Sequence, residues 1–306
     1  MTHAQTTADP GYGTSAATGL AGAAVAAEPK VPAGRKQRAL LVWLSYGWLA
    51  LAVGLALLAP LLPLPSYADP AGAPRLGPGL HSFALLLGTD DLGRSELSRV
   101  VSGAQISLVV SACAGLFGFV VGSFTGLVAG YFRRGLDTGI SLLTDVMLAF
   151  PPLILLLAIA SVVTPNIKTV ALGLGIVGVP TFIRLARANT LSWSTREFVR
   201  AARNMGAGHQ RILFKEILPN VVPPLAAYLP IVMASMIVAE GSLSFLGLGI
   251  PSPRPSWGGM ISAGQSELSD SPHIVFVPSM CIFLTVFALN QVGDHLRGRL
   301  DRTVRD

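Results

Sequence analysis

Residues 105–132 read QISLVVSACAGLFGFVVGSFTGLVAGYF, a run without one charged side chain, closed by Arg133 and Arg134. At a rise of about 1.5 Å per residue, such a run crosses the roughly 30 Å hydrocarbon core of a bilayer as a single α-helix. Within it Gly118, Gly122, Gly126 and Gly130 recur every four residues. That spacing lines one helical face with glycine and lets another backbone come close, so a partner helix is expected unusually near. The whole chain carries the same signature. Of its 306 residues 51% are hydrophobic and 12% charged, and the mean hydropathy is +0.60. Soluble domains carry about 25% charge, so an ordinary cytosolic protein is excluded.

Working outward, residues 39–62 form an uncharged block longer than the roughly 7 to 15 residues of a signal-peptide core, and read as a retained first span. The quoted run is the second span. A third extends over residues 136–163 and carries Asp137 and Asp145 in its first turns. A fourth is free of charge only over residues 169–183, and its helix is expected to continue through Arg184 and Arg187 out of the membrane. The fifth covers residues 221–248 and the sixth residues 274–293. The expected fold is therefore all-α, an integral membrane bundle of six transmembrane helices over residues 39–296. Pro151 and Pro152, Pro180, and Pro223, Pro224 and Pro230 interrupt spans three, four and five, and are expected to bend them.

The flanks are polar. Residues 1–38 are rich in Ala, Gly, Thr and Pro and end in a basic cluster, the composition of a disordered tail. Residues 297–306 form a short C-terminal tail. Six spans put both termini on one side, and the basic residues say which. Of the 22 Lys and Arg, only Arg75, Arg94, Arg99, Lys168 and Arg254 fall on the side opposite the termini, so both tails are expected to be cytoplasmic. The formal charge of +6 thus reads as a topology signal. No basic stripe interleaved with aromatics suggests nucleic acid. Cys113 and Cys281 lie inside apolar blocks, which supports neither a disulfide framework nor a zinc site.

Residues 194–220, STREFVRAARNMGAGHQRILFKEILPN, form the longest cytoplasmic loop. Phe198, Ala201, Ala202 and Met205 follow the i, i+3, i+4, i+7 pattern of an apolar helical stripe, with Arg196, Arg200 and Arg203 largely off it. Gly206 sits where that helix would stop. A second short helix over residues 209–218 is expected to end at Pro219. The small side chains on the stripe suit close docking against another protein.

This loop resembles the Glu-Ala-Ala loop of ABC-importer permeases, in which the triplet is followed by a Gly and then by Ile-x-Leu-Pro or a close variant. Ala201, Ala202, Gly206, Ile217, Leu218 and Pro219 occupy those positions, with Arg200 where the family usually has Glu. The segments LGTDDLGR at residues 87–94, EGSLSFLGLG at 240–249, PSWG at 255–258 and GDHLR at 293–297 are similar to the dipeptide, oligopeptide and nickel permeases of the C-subunit branch. The resemblance covers residues 80–302. It implies a type I ABC importer permease fold in the bacterial plasma (inner) membrane. It also implies a homologous second permease subunit, two ATP-binding subunits that hold ATP and Mg, and an extracytoplasmic substrate-binding protein. The substrate class it implies is dipeptides or oligopeptides. This chain has no cofactor of its own and is not an enzyme by this reading: a phosphate-cradling loop needs Gly-Lys-Ser or Gly-Lys-Thr, and Lys30, Lys36, Lys168 and Lys215 follow Pro, Arg, Ile and Phe.

Carboxylates in spans are costly and mark function by default. Asp145 reads either as a proton or substrate site or as the partner of Arg133 or Arg134. Glu240, near the outer end of span five, either lines the translocation path or anchors the loop that follows. An ion-coupled secondary transporter built on Asp145 or Glu240 is the alternative function. Trp257, in the middle of the outer loop 250–272, either belongs to a gating loop that dips toward the cavity or is an interfacial anchor. Residues 81–102, of mixed charge, are expected to form an outer surface helix. The five histidines show no metal-ligand spacing.

Overall fold

The computed structural model describes residues 35–80 and 82–303, so the N-terminal tail lies almost wholly outside the described residues. Among the described residues ten α-helices follow one another. They are α1 (Arg35–Leu58), α2 (Glu96–Phe132), α3 (Arg134–Ala149), α4 (Pro152–Val162), α5 (Ile167–Trp193), α6 (Glu197–Asn204), α7 (His209–Arg211), α8 (Leu218–Phe245), α9 (Trp257–Gly264) and α10 (His273–Thr303). Among the described residues, pairing between extended segments is limited to two isolated bridges, Pro70 with Arg94 and Thr89 with Ser95. Among the described residues, five helical segments are long and apolar enough to cross a bilayer, and α3 with α4, bent by 92° at their junction, brings the number to six when the pair is counted as one span.

That bend is sharper than a proline kink. Pro151 and Pro152 follow Phe150, whose extended backbone (φ −81, ψ 134) ends α3, and Pro152 then opens α4 at a first-turn position where its missing N–H costs nothing. The third span is therefore two short helices and a corner. By contrast α5 and α8 run helical through Pro180, Pro223, Pro224 and Pro230.

The glycine face of α2 meets α5. A Cβ added at Gly122 would lie 2.6 Å from both Phe182 Cβ and the Val179 carbonyl, and one at Gly130 would lie 2.8 Å from the Arg187 carbonyl. A Cβ at Gly126 would run into the Ile183 carbonyl, whereas at Gly118 the nearest atom, the carbonyl carbon of Gly178, is 3.3 Å away. Backbones this close exchange many small dispersion contacts, which substitute in a bilayer for the hydrophobic drive that lipid removes. Around this pair the core is continuous: Phe182 packs edge-on to Phe119 at 5.7 Å, and Leu174, Leu156, Val232 and Met236 close it.

Two expectations are revised by the structure. The segment before α2 is not a surface helix. It is a packed cap with a single 3-10 turn at Phe83–Leu85, and α2 itself starts at Glu96, with Ser95 accepting from the Ser98 N–H. Asp90 is the reason the cap folds inward. Its Oδ1 accepts from the backbone N–H of Leu92 (3.0 Å) and Arg94 (2.8 Å), and its Oδ2 faces the Nε of Arg94 (2.6 Å) and of Arg99 (3.3 Å). Paired in this way, charges that sequence reading puts in water are buried. Second, the outer loop 250–272 contains α9, capped by Ser256, whose hydroxyl accepts from the Gly259 N–H at 3.1 Å. Residues 297–303, in the segment read as a C-terminal tail, continue α10.

Candidate functional site

The segment 194–220 lies against the end of the bundle where α2 and α3 join. Arg133 Nη2 donates to Ser194 Oγ at 3.2 Å, and Tyr131 Oη and His209 Nδ1 are 2.8 Å apart. Gly206, at φ +81, reverses the chain after α6. Its amide bonds the Arg203 carbonyl and the Ala207 amide bonds the Ala202 carbonyl, closing the end of the helix as a left-handed residue allows. The second helix does not end at Pro219. Residues Ile212–Ile217 form a π-helical turn that runs directly into α8, so Pro219 falls in the first turn of a helix that continues to Phe245. The wide turn leaves a register in which a residue without an N–H fits.

The apolar stripe of α6 divides into two. Val199 and Ala202 are buried, together with Ile212, Leu213 and Ile217, in a cluster that includes Leu127, Tyr131 and Ala186. Phe198, Ala201 and Met205 point outward, Met205 being 81% exposed. Ala202 therefore belongs to the inner face and not to the docking stripe. Val199, unremarked in sequence, is the residue that fixes α6; its place three residues before Ala202 is the signal that finds it. Arg200 is exposed, Leu218 half-buried and Pro219 exposed. The result is an apolar, unpartnered knob, held rigidly on the feet of α2, α5 and α8.

The intramembrane carboxylates have other partners than the ones expected. Asp145 pairs with Arg184 at 2.8 Å, not with Arg133 or Arg134, and both side chains remain more than 60% exposed. Asp137 bonds Arg187 through both nitrogens of a forked contact, the second at 2.8 Å. Arg184 and Arg187 lie three apart on α5, where they face α3. Near them, a cavity of about 640 Å³ is lined by Leu148, Arg184, Tyr228 and Arg297, with the Arg297 guanidinium 5.5 Å from the Tyr228 ring centre.

Glu240 is 1% exposed. Its Oε1 accepts from the hydroxyls of Ser244 (2.8 Å) and Ser256 (2.7 Å), so it ties α8 to the first turn of α9. Trp257 is likewise 1% exposed. Its indole N–H donates to the Val100 carbonyl at 3.0 Å and its backbone N–H to Ser107 Oγ at 3.2 Å. It opens α9 and packs that helix onto α2, so it is not free at a headgroup surface. Ser244, Ser256 and Ser107 complete this anchor; Ser244 stands one helical turn after Glu240, whereas Ser256 and Ser107 come from other parts of the chain and carry no local signal. No group of three metal-ligating side chains occurs among the described residues.

Residues 118–306 match the family described as binding-protein-dependent transport system inner membrane component. The chain is 38% identical over 248 residues to the dipeptide transport system permease protein DppC of Alkalihalophilus pseudofirmus, covering 81% of each chain. It is 39% identical over 220 residues to the glutathione transport system permease protein GsiD of Pectobacterium atrosepticum, covering 72% of this chain and 73% of that one. Among solved structures it superposes on a chain of the MetNI methionine ABC transporter in an inward-facing conformation, with TM-score 0.56 and 19% identity over 66% of this chain and 96% of that one, which shows a shared fold. An ion-coupled carrier is a different class of protein and drops out. The chain belongs to the family of binding-protein-dependent transport system inner membrane components, and is a multi-pass permease subunit of an ABC importer.

Proposed function

We propose that this permease translocates short peptides, and that the knob formed by Phe198, Ala201 and Met205 receives the stroke of an ATPase subunit. The observation that carries the reading is the split stripe of α6: an exposed apolar edge backed by Val199 and Ala202, which are locked into the bundle. A force applied to such a knob reaches α2, α5 and α8 without an intervening flexible joint, because packed interiors transmit displacement. Substrate class is proposed from the relatives, whose names specify dipeptide and glutathione transport. ATP and Mg belong to the partner ATPases, a second permease completes the pathway, and a binding protein delivers the cargo. Both termini face the cytoplasm. Asp145 and Arg184 line the path, since a charged pair this exposed on one chain calls for water or protein beside it and not acyl chains.

The test is uptake by a strain lacking this gene and complemented with it, offered labelled dialanine, trialanine, glutathione, nickel and haem in turn. Complementation that restores the peptides alone is the expected result. Restored nickel or haem uptake without peptide uptake overturns the substrate class and leaves the permease assignment standing.

A further inference from the structure

At the end of the bundle opposite the 194–220 segment, a cavity of about 290 Å³ is walled by Arg94, Arg99 and Arg254, with Ser252, Ser262 and the backbone around Gly247 and Gly249. Three guanidinium side chains line it and no carboxylate does. Two of them are held in place from behind. Arg94 and Arg99 each turn an Nε toward the buried Asp90, whose oxygens are occupied by these contacts and by two backbone amides. Among the described residues, Arg99 Nη1 reaches only the Tyr67 carbonyl at 3.3 Å, and the nearest carboxylate oxygen to Arg94 Nη2 beyond Asp90 is that of Asp91, at 3.8 Å. Terminal guanidinium donors are therefore left for a ligand. Arg254 makes no ion pair among the described residues and sits on the exposed lip. At Gly249 a Cβ would collide with Ser244, so only glycine lets the wall close against α8 there.

We propose that this cavity holds the carboxylate of a short peptide at the outer mouth of the permease. Planar guanidinium forks match a carboxylate in two parallel hydrogen bonds, and arginines prepaid by Asp90 lose little freedom on binding. Arg254 on the lip captures the anion and Arg94 and Arg99 seat it. This assignment rests on the reading that peptides are the cargo.

The test uses the full chain in nanodiscs of phosphatidylcholine, titrated with trialanine and with trialanine amide by calorimetry. Trialanine is expected to bind, and the amide and the Arg254→Gln variant to bind roughly tenfold more weakly, the loss of one charge-assisted hydrogen-bond pair. Lys168→Gln, which removes a positive charge at the same end but outside the cavity, is expected to bind as the wild type does. Equal binding by Arg254→Gln, no binding by the wild type, or loss of peptide binding when phosphatidylglycerol is added to the nanodiscs overturns the proposal, the last by assigning the cavity to a lipid headgroup. Normal peptide uptake with Arg254-independent binding removes the cavity and keeps the peptide reading. Arg254-dependent binding of trialanine in a permease that imports no peptide removes the reading and keeps the carboxylate site.

Discussion

At Gly206 one backbone angle decides whether the knob is presented. A φ of +81 costs an L-residue roughly 1–2 kcal/mol, and a Cβ there meets nothing within 4 Å, so the penalty of substitution is conformational and not steric. Gly206→Leu is therefore expected to insert at normal levels on an immunoblot while peptide uptake falls severalfold; normal uptake at normal level would remove the segment from the coupling path. Glu240 poses the opposite case, where chemistry and not backbone matters. Glu240→Gln keeps an acceptor for Ser244 and Ser256, whereas Glu240→Leu strands two buried hydroxyls at about 1–3 kcal/mol each. The Leu variant is expected to lose uptake and to melt lower, and the Gln variant to retain most of both. Gly206 was legible in sequence because a glycine after an amphipathic run signals a left-handed stop. The role of Glu240 was not, because its partners include a serine that comes to it across a loop.

Helices were read correctly where length and apolarity alone define them, and less well where neighbours do. The crossing of α2 on α5 follows from four evenly spaced glycines, but which helix would fill that face depends on packing that no local pattern encodes. The 92° corner at Pro151 and the π turn ahead of Pro219 show the same limit, since a proline marks where a helix is disturbed and tertiary contacts choose between corner, kink and continuation. The glycine face also supplies a graded test. Gly122→Ala and Gly126→Ala force a methyl into backbone and Phe182, and overpacking of that kind costs about 1–3 kcal/mol. Their melting temperatures in detergent are expected to fall well below that of Gly118→Ala. Gly139→Ala, where a Cβ meets nothing within 4 Å, is the control expected to melt at or above the wild type. A flat series would mean that α2 and α5 do not approach as described.

The whole molecule has two unlike ends, and the proposed orientation rests on joining contacts to charge. At one end the Arg133–Arg134 corner touches Ser194, and Tyr131 touches His209, so the basic turn and the basic segment 194–220 share a side. Arg297 of α10 stacks on Tyr228 beside Arg184, which brings the C-terminal part of α10 to the cavity flanked by those arginines. At the other end Arg75 pairs with Glu267 at 2.8 Å, and His273 meets the Thr89 carbonyl at 3.2 Å, tying the cap before α2 to the start of α10. Of the few basic residues at that end, Arg75 pairs with Glu267, and Arg94 and Arg99 share the single carboxylate of Asp90. Free positive charge is thus more lopsided than the residue count, and free charge is what resists translocation during insertion. Green fluorescent protein fused to the C-terminus is expected to fluoresce in intact cells, and alkaline phosphatase fused there to remain inactive. The same phosphatase inserted after Pro272, at the start of α10, is expected to be active. An active C-terminal phosphatase would invert the bundle, place the knob outside the cell, and leave the α6 stripe without an ATPase to meet.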